Sequence, residues 1–297
     1  MRVLIAGASG LIGHELISQL KARGDEPVAL VRRKPSTPAE IEWNPAVGEL
    51  DPTVISGFDA VVNLSGASIG KLPWNASYER ELVESRISAT RTLVDAINQA
   101  TTMPAVFISG SASGYYGDAG DTILNEDSKA GTGFLADLCI KWEAEAERVD
   151  TSVRLVKIRT AVVFSKTGGA LSRVLPLVRL GAGGPLGNGR QWWPWISITD
   201  EAAAIVHLLH TDSARGAFNL CAPESATCGT LIAAMASALK RPFGLPAPAF
   251  ALRLLLGKAA DEVLLSSQRM SSAKLVASGF KFEHPTVTEV AGWVTQN

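Results

Sequence analysis

This 297-residue sequence predicts an α/β fold built on a parallel sheet. Two observations carry that prediction. Short apolar runs of strand length alternate with segments whose apolar residues recur at helical spacing, and a glycine-rich turn joins the first run to the first such segment. The runs are apolar throughout rather than alternating, as expected of strands covered on both faces. With 46% hydrophobic residues the chain can bury a large core.

Residues 2–6 read as the first strand. In 11–23, Leu11, Ile12, Leu16, Ile17 and Leu20 make a helical stripe, and Gly24 stops it. Residues 27–31 form a second strand. Four prolines and little periodicity make 34–57 a loop with room for one short strand. A third strand spans 60–64, followed by a long amphipathic helix over 77–100. A fourth strand at 105–109 ends in a loop rich in glycine and serine. A helix over 133–149 and a strand over 153–158 complete the regular part. After about residue 165 glycines crowd together and helical patterns then dominate, so a dinucleotide-type domain (1–165) and a smaller, mainly helical substrate subdomain (166–297) are expected, with some later strands returning to the main sheet.

The sharpest local signal is Gly7-Ala8-Ser9-Gly10-Leu11-Ile12-Gly13, set between strand and helix. Gly7 permits the tight turn, Gly10 lets the backbone approach a pyrophosphate, and Gly13 lets the helix pack on the sheet. The amides of Leu11, Ile12 and Gly13, with the Ser9 hydroxyl, then face the phosphates. This context predicts a doubly wound Rossmann sheet and a bound dinucleotide. Enzymes using NAD place an acid at the end of the second strand. Here that strand ends Val31-Arg32-Arg33-Lys34, and Asp25 and Glu26 lie at its other end. Arg32 and Arg33 suit the 2′-phosphate of NADP(H); the competing reading is a solvated basic loop.

The chain resembles the extended short-chain dehydrogenase/reductase superfamily, and within it the NAD(P)-dependent epimerase-like branch labelled nucleoside-diphosphate-sugar epimerase or SulA-like. The residues that carry the likeness are Gly7 to Gly13, Asn63-Leu64-Ser65-Gly66-Ala67, Glu84-Ser85-Arg86, Ser113-Gly114-Tyr115-Tyr116-Gly117, Lys141-Trp142-Glu143, Arg159-Thr160-Ala161-Val162-Val163, Gly187-Asn188-Gly189-Arg190-Gln191, Arg241-Pro242 and Gly279-Phe280. The resemblance implies that Leu64, Ser65 and Gly66 pass the adenosine side of the cofactor. It also implies that Glu81 and Arg86 face the site from the following helix and that Val163 meets the nicotinamide carboxamide. An exposed charged helix face is the alternative for Glu81 and Arg86.

Superfamily members use a Tyr-x-x-x-Lys pair on the helix at 133–149. The three tyrosines here are Tyr78, Tyr115 and Tyr116, and none has a lysine four residues later. Leu135 and Cys139 occupy the expected positions. Lys141 points about 200° away from Cys139 on a helix. The candidates left for acid–base work are Tyr115 or Tyr116, with Ser111 orienting a hydroxyl. Each has a structural reading beside it: aromatic wall or core filler for the tyrosines, loop stabilisation for the serine. Asn188, Arg190, Gln191 and Trp192 form a candidate substrate surface, for which core tryptophans are the alternative. Three functions follow: an NADP(H)-dependent epimerase- or reductase-like oxidoreductase acting on a nucleotide sugar or carbonyl compound, a non-catalytic NADP(H)-binding regulator or sensor, and, last, a sugar-nucleotide binding module.

Composition excludes other classes. Net charge is −1, which gives no reason to expect nucleic acid or an anionic membrane. Cys139, Cys221 and Cys228 are odd in number and scattered, and the four histidines are dispersed, so neither disulfides nor a metal are expected. Residues 1–6 run straight into the glycine turn rather than a secretory leader, and no apolar run approaches the ~20 residues of a membrane span. A soluble, cytoplasmic protein is the expectation, with a homodimer possible by analogy through the two long helices.

Overall fold

The computed structural model describes residues 1–169 and 171–296. Its strands are β1 (Arg2–Ala6), β2 (Glu26–Val31), β3 (Glu40–Glu42), β4 (Ala60–Asn63), β5 (Val106–Ala112), β6 (Ile123–Leu124), β7 (Arg154–Thr160), β8 (Val162–Phe164), β9 (Trp195–Ser197), β10 (Gly216–Leu220) and β11 (Arg269–Met270). Seven of them form one sheet in the order β10-β7-β5-β4-β1-β2-β3, and every pair in it is parallel. β8 pairs with β9, and β6 with β11, in two small sheets.

The helices are α1 (Leu11–Arg23), α2 (Pro52–Ile55), α3 (Ala76–Gln99), α4 (Phe134–Ala146), α5 (Leu171–Arg179), α6 (Ile198–Leu209), α7 (Cys228–Ala238), α8 (Ala249–Leu256), α9 (Ala273–Ala277) and α10 (Val287–Thr295). The apolar runs divide between two faces with period two. Val3, Ile5, Val62, Ile108 and Val156 pack with Leu16 of α1 and Ile205 and Leu208 of α6. Leu4, Ala6, Val61 and Phe107 pack with Leu93 and Ile97 of α3. Both faces are therefore covered, as the unbroken apolar runs require. A third core joins Trp193 and Trp195 to α5, α7 and α10.

Two boundaries differ from the sequence reading. β5 runs on to Ala112, so Ser109 and Ser111 lie inside a central strand and not in the loop after it. Ser111 is tolerated there because Glu143 reaches it from α4. The stretch 34–57 holds β3 and, behind Asp51, whose carboxylate accepts the Thr53 amide, the short helix α2. α3 is capped by Asn75, whose Oδ1 accepts the Tyr78 amide.

The glycine turn shows why Gly7 and Gly13 are needed. Gly7 sits at φ 83°, and a Cβ there would lie 2.6 Å from the Leu64 carbonyl carbon. A Cβ on Gly13 would lie 2.7 Å from the Ala8 Cα, within backbone that cannot give. Gly13→Ala is therefore expected to cost roughly 1–3 kcal/mol of stability by forcing α1 off the sheet. Urea denaturation measures it; an unchanged midpoint would mean that α1 has slack at this contact.

Candidate active site

All seven parallel strands end on one edge, where ligands of such sheets bind. At β1 the edge is the glycine turn. Among the described residues, the only atom within 4 Å of a Cβ placed on Gly10 is the Gly7 carbonyl oxygen, at 3.2 Å, so the ground above Gly10 is open. α1 has no side-chain cap at Gly10, which leaves the Leu11, Ile12 and Gly13 amides directed outward at the positive end of the helix. Ser9 is exposed beside them. An uncapped helix N-terminus with open space above Gly10 makes an anion cradle.

The β2 end carries the two arginines. Arg32 is exposed. Arg33 is bound bidentately by Glu40, at 2.6 and 2.9 Å, and Glu40 also accepts the Ser36 amide and hydroxyl. The Arg33 hydrogen bonds and then those of Ser36 hold the Glu40 carboxyl down at about 2. An acid therefore does reach this end of β2. It arrives on β3, out of sequence range, and it is already neutralised by Arg33.

At β4, the Ser65 amide donates to Asn63 Oδ1, and Leu64 donates to Ala6 O, which seats the 64–66 turn beside Gly7. Arg86 reaches under this turn. It is buried, donates to Leu82 O and Ala67 O, and lies over the Trp142 ring. A Cβ on Gly66 would strike its guanidinium at 2.8 Å. Burial lowers its pKa, and it has no carboxylate partner among the described residues. Glu81, by contrast, is on the exposed face of α3. Val163 lies in β8, and the bend that follows brings Gly168 and Gly169 onto Leu11, so the wall at Val163 and the start of α1 adjoin.

The polar centre lies at β5 and β7. Ser111 Oγ donates to Glu143 Oε1 at 2.7 Å. Glu143, on α4, is held by Arg159 of β7 through Nε at 2.8 Å and Nη2 at 3.0 Å, with Lys157 Nζ at 3.1 Å. Burial pushes the Glu143 carboxyl up, but Arg159, Ser111 and Lys157 outweigh it and hold it below its ordinary value. The Arg159 guanidinium carbon sits 3.5 Å from the centre of the Tyr115 ring. Tyr115 is half-buried and packs edge-on against Tyr116.

Tyr116 has another role. It is fully buried; its hydroxyl donates to Asn219 Oδ1 at 2.7 Å and accepts from Arg159 Nη1 at 2.9 Å. Burial drives its pKa up to about 12, which unsuits it to exchange a proton near neutrality. Of the two candidate phenols, Tyr116 is a strut tying the 113–116 turn to β10. Leu135 and Cys139 face the same turn: a Cβ on Gly114 would lie 3.0 Å from Leu135 Cβ and 3.7 Å from Cys139 Sγ. Cys139 is buried, and desolvation raises its thiol to about 12.

The expected substrate surface divides. Arg190 is exposed, and Asn188 Oδ1 accepts the Arg190 amide in a local turn. Trp192 is half-buried, donates to Asp121 Oδ1 at 2.7 Å and carries Arg269 on its face. Gln191 must be reassigned: it is buried, and its amide donates to Leu186 O and Leu264 O, so it staples two backbone segments and has no N–H left for a ligand. Trp193 and Trp195 belong to the third core.

Sequence reasoning passed over Glu143 and Glu201 as charged partners. Glu143 falls four residues after Cys139 and eight after Leu135, on the same helix face, and that spacing was legible. Glu201 interrupts the apolar stripe of α6 between Ile198 and Ile205. Its Oε1 accepts the Thr160 hydroxyl at 2.7 Å, and its Oε2 has no partner among the described residues. Among the described residues no group of three His, Cys, Asp or Glu could hold a metal ion, and no helix is long and apolar enough to cross a membrane.

An anion cradle at a glycine turn, at the head of a seven-stranded parallel sheet with a polar cluster on the same edge, defines a dinucleotide-binding Rossmann protein. Residues 3–221 match the model of the NAD dependent epimerase/dehydratase family, and the chain belongs to that family. Residues 247–294 match a domain of unknown function, DUF1731. The chain is 40% identical over 294 residues to epimerase family protein Mb2239 of Mycobacterium bovis, covering 99% of this chain and 97% of that protein. It is 35% identical to human epimerase family protein SDR39U1, covering 96% of each. A crystal structure of human SDR39U1 (isoform 2) with NADPH superimposes with a TM-score of 0.93 at 32% identity, covering 100% of both chains.

Burial without a second hydrogen bond raises the Glu201 carboxyl to about 8. The folded protein thus keeps a proton that the unfolded chain releases above about 4.3. Stability from this group is lost as pH climbs from the unfolded value toward about 8. Glu201→Gln is expected to match the parent near pH 4 and to exceed it at pH 8 by on the order of a few kcal/mol. Denaturation at both pH values decides it; parallel losses would show that Glu201 does not titrate in this window.

Proposed function

We propose that this chain is an NADP(H)-dependent oxidoreductase of the epimerase or reductase type, acting on a nucleotide sugar or another small carbonyl compound. Residues 1–165 hold the cofactor and 166–297 contribute the substrate side. The observation that carries this reading is the placement of Tyr115. It is the phenol left available at the polar edge, held flat against Arg159, with Ser111 on the same Arg159–Glu143 pair.

The residues present fit the cofactor. The open ground above Gly10 and the uncapped α1 amides suit a pyrophosphate. The turn at Leu64, Ser65 and Gly66 suits the adenosine, and Val163 the nicotinamide wall. Arg32 is the cation left for a 2′-phosphate, since Arg33 is committed to Glu40. The human relative crystallised with NADPH supports this choice. When bound, such a cofactor gives or takes a hydride. The chain's task is then to hold the substrate hydroxyl or carbonyl against Tyr115 Oη, where a proton is given or taken. Ser111 Oγ, whose proton goes to Glu143, is left to accept from a substrate hydroxyl, and Arg159 fixes the ring. Arg190 and Trp192 offer a cation and a flat face to the rest of the substrate. A second reading, a non-catalytic NADP(H)-binding regulator, rests on the expectation that Leu135 and Cys139 stand where the superfamily keeps its tyrosine and lysine; both pack on the turn at Gly114.

Two measurements test the proposal. Titration should give tighter binding of NADPH than NADH by roughly 10–100-fold, the worth of one charge-assisted hydrogen bond. Arg32→Ala should remove most of that preference; equal affinities in the parent would exclude an NADP site. With a substrate found by screening carbonyl compounds and nucleotide sugars, Tyr115→Phe should lower kcat by roughly 10²–10⁴-fold and leave NADPH affinity intact. Full activity in that variant would remove Tyr115 from the mechanism, and no turnover with any substrate would favour the regulator.

A further inference from the structure

Charge is distributed unevenly along this chain. Residues 165–199 and 225–260 contain no Asp or Glu, yet carry Lys166, Arg173, Arg179, Arg190, Lys240, Arg241, Arg253 and Lys258. The remainder of the chain therefore has 20 Lys and Arg against 29 Asp and Glu. A net charge of −1 conceals two cationic segments in an otherwise anionic chain.

The same segments carry unburied apolar side chains. α8 buries no residue, and Phe250, Leu254 and Leu255 on it are 73%, 85% and 69% exposed. Leu180 and Leu245 are 82% and 90% exposed. These belong to one face, because the chain after α5 runs beside the chain before α8. The Gly244 amide donates to Gly183 O at 2.8 Å, Ala247 to Pro185 O at 2.9 Å, and Gly187 to Ala247 O at 2.8 Å. Large apolar side chains left this exposed on adjoining segments mark an interaction surface rather than a core. Arg173, Arg179, Lys240 and Arg241 are exposed on the same segments, and none has an ion pair among the described residues. Arg253 and Lys258 are instead paired with Asp261 and Glu79.

We propose that this face docks the protein on an anionic lipid bilayer. Phe250, Leu254 and Leu255 enter the boundary between headgroups and acyl chains, and the four unpaired cations meet the lipid charges. A second copy of the chain is a poorer occupant, since a two-fold contact would set this cationic face against itself. An acidic protein is poorer too. α8 stands out as a ridge with no buried residue, which a fluid bilayer accommodates without a matching groove. Docking would bring the candidate site to the membrane: the turn after α8 carries Glu262, whose carboxylate accepts the Phe134 and Leu135 amides at the start of α4.

The test is co-sedimentation of the full chain with vesicles of phosphatidylcholine alone and of phosphatidylcholine with 30% phosphatidylglycerol, a composition set on the order of natural anionic leaflets. Binding to the anionic vesicles should be at least about tenfold tighter and should weaken with salt. The double variant Leu254→Asp, Leu255→Asp should lose about tenfold or more, and Lys240→Glu, Arg241→Glu should lose the preference for anionic lipid. All four positions are exposed, so thermal midpoints and NADPH titrations should match the parent; these controls are read independently of any turnover. No binding to either vesicle overturns the proposal, as does undiminished binding by the leucine variant. A dimer that the leucine variant dissociates, or an acidic protein partner, found without vesicle binding, overturns it equally.

Discussion

The Arg159–Glu143 pair is the interaction on which the polar edge depends. Removing two charges from water costs several kcal/mol per ion unless hydrogen bonds replace the water. Here Arg159 gives Nε and Nη2 to Glu143, and Nη1 to Tyr116 Oη and Glu126 O. Glu143 adds Ser111 and Lys157. One pair thereby fixes α4 against β5 and β7, and through Tyr116 and Asn219 it fixes β10 as well. Loss of either partner would strand the other in the sheet edge, so the pair constrains where every nearby side chain stands, Tyr115 included.

Local spacing made the glycine turn legible from sequence, because the three glycines recur at fixed short intervals and Gly10 and Gly13 answer to Gly7 and Ala8, although the contact that requires Gly7 comes from Leu64. α1 was legible for the same reason. What escaped were pairings set by topology. Glu40 lies seven residues past Arg33, and only the β2–β3 pairing turns it onto that side chain. Ser109-Gly110-Ser111 reads as a loop on residue type, yet Gly110 is required because the Trp142 ring packs on it and Ser111 is satisfied by an acid 32 residues away. Tyr115 and Tyr116 were indistinguishable in sequence. The short helical turn at 113–116 sends one inward to Asn219 and leaves the other against Arg159.

Asp200 and Glu201 show the same limit at adjacent positions. Asp200 accepts the Ser197 hydroxyl and the Glu283 and His284 amides, and so docks the C-terminal segment onto α6. Glu201, one residue on and turned about 100° around the helix, has Thr160 as its one hydrogen-bond partner among the described residues. Two acids in the first turn of a helix would both be read as favourable to its dipole. Burial separates them: one carboxylate is paid for by three donors and the other is pushed toward its neutral form.

Whole-chain averages hid a further property for a related reason. A net charge near zero argues against an anionic surface partner only if charge is mixed. In this chain the acids withdraw from two segments, 165–199 and 225–260, that are distant in sequence and meet along the 183–187 and 244–247 backbone. Apolar side chains left on that face have no core to enter, because α7 and α10 already fill the third core with Leu231, Met235, Val290 and Val294. Exposure of α8 is thus a consequence of how the subdomain closes on itself. The cations beside it give that exposed face a sign, and the sign is opposite to that of the rest of the molecule.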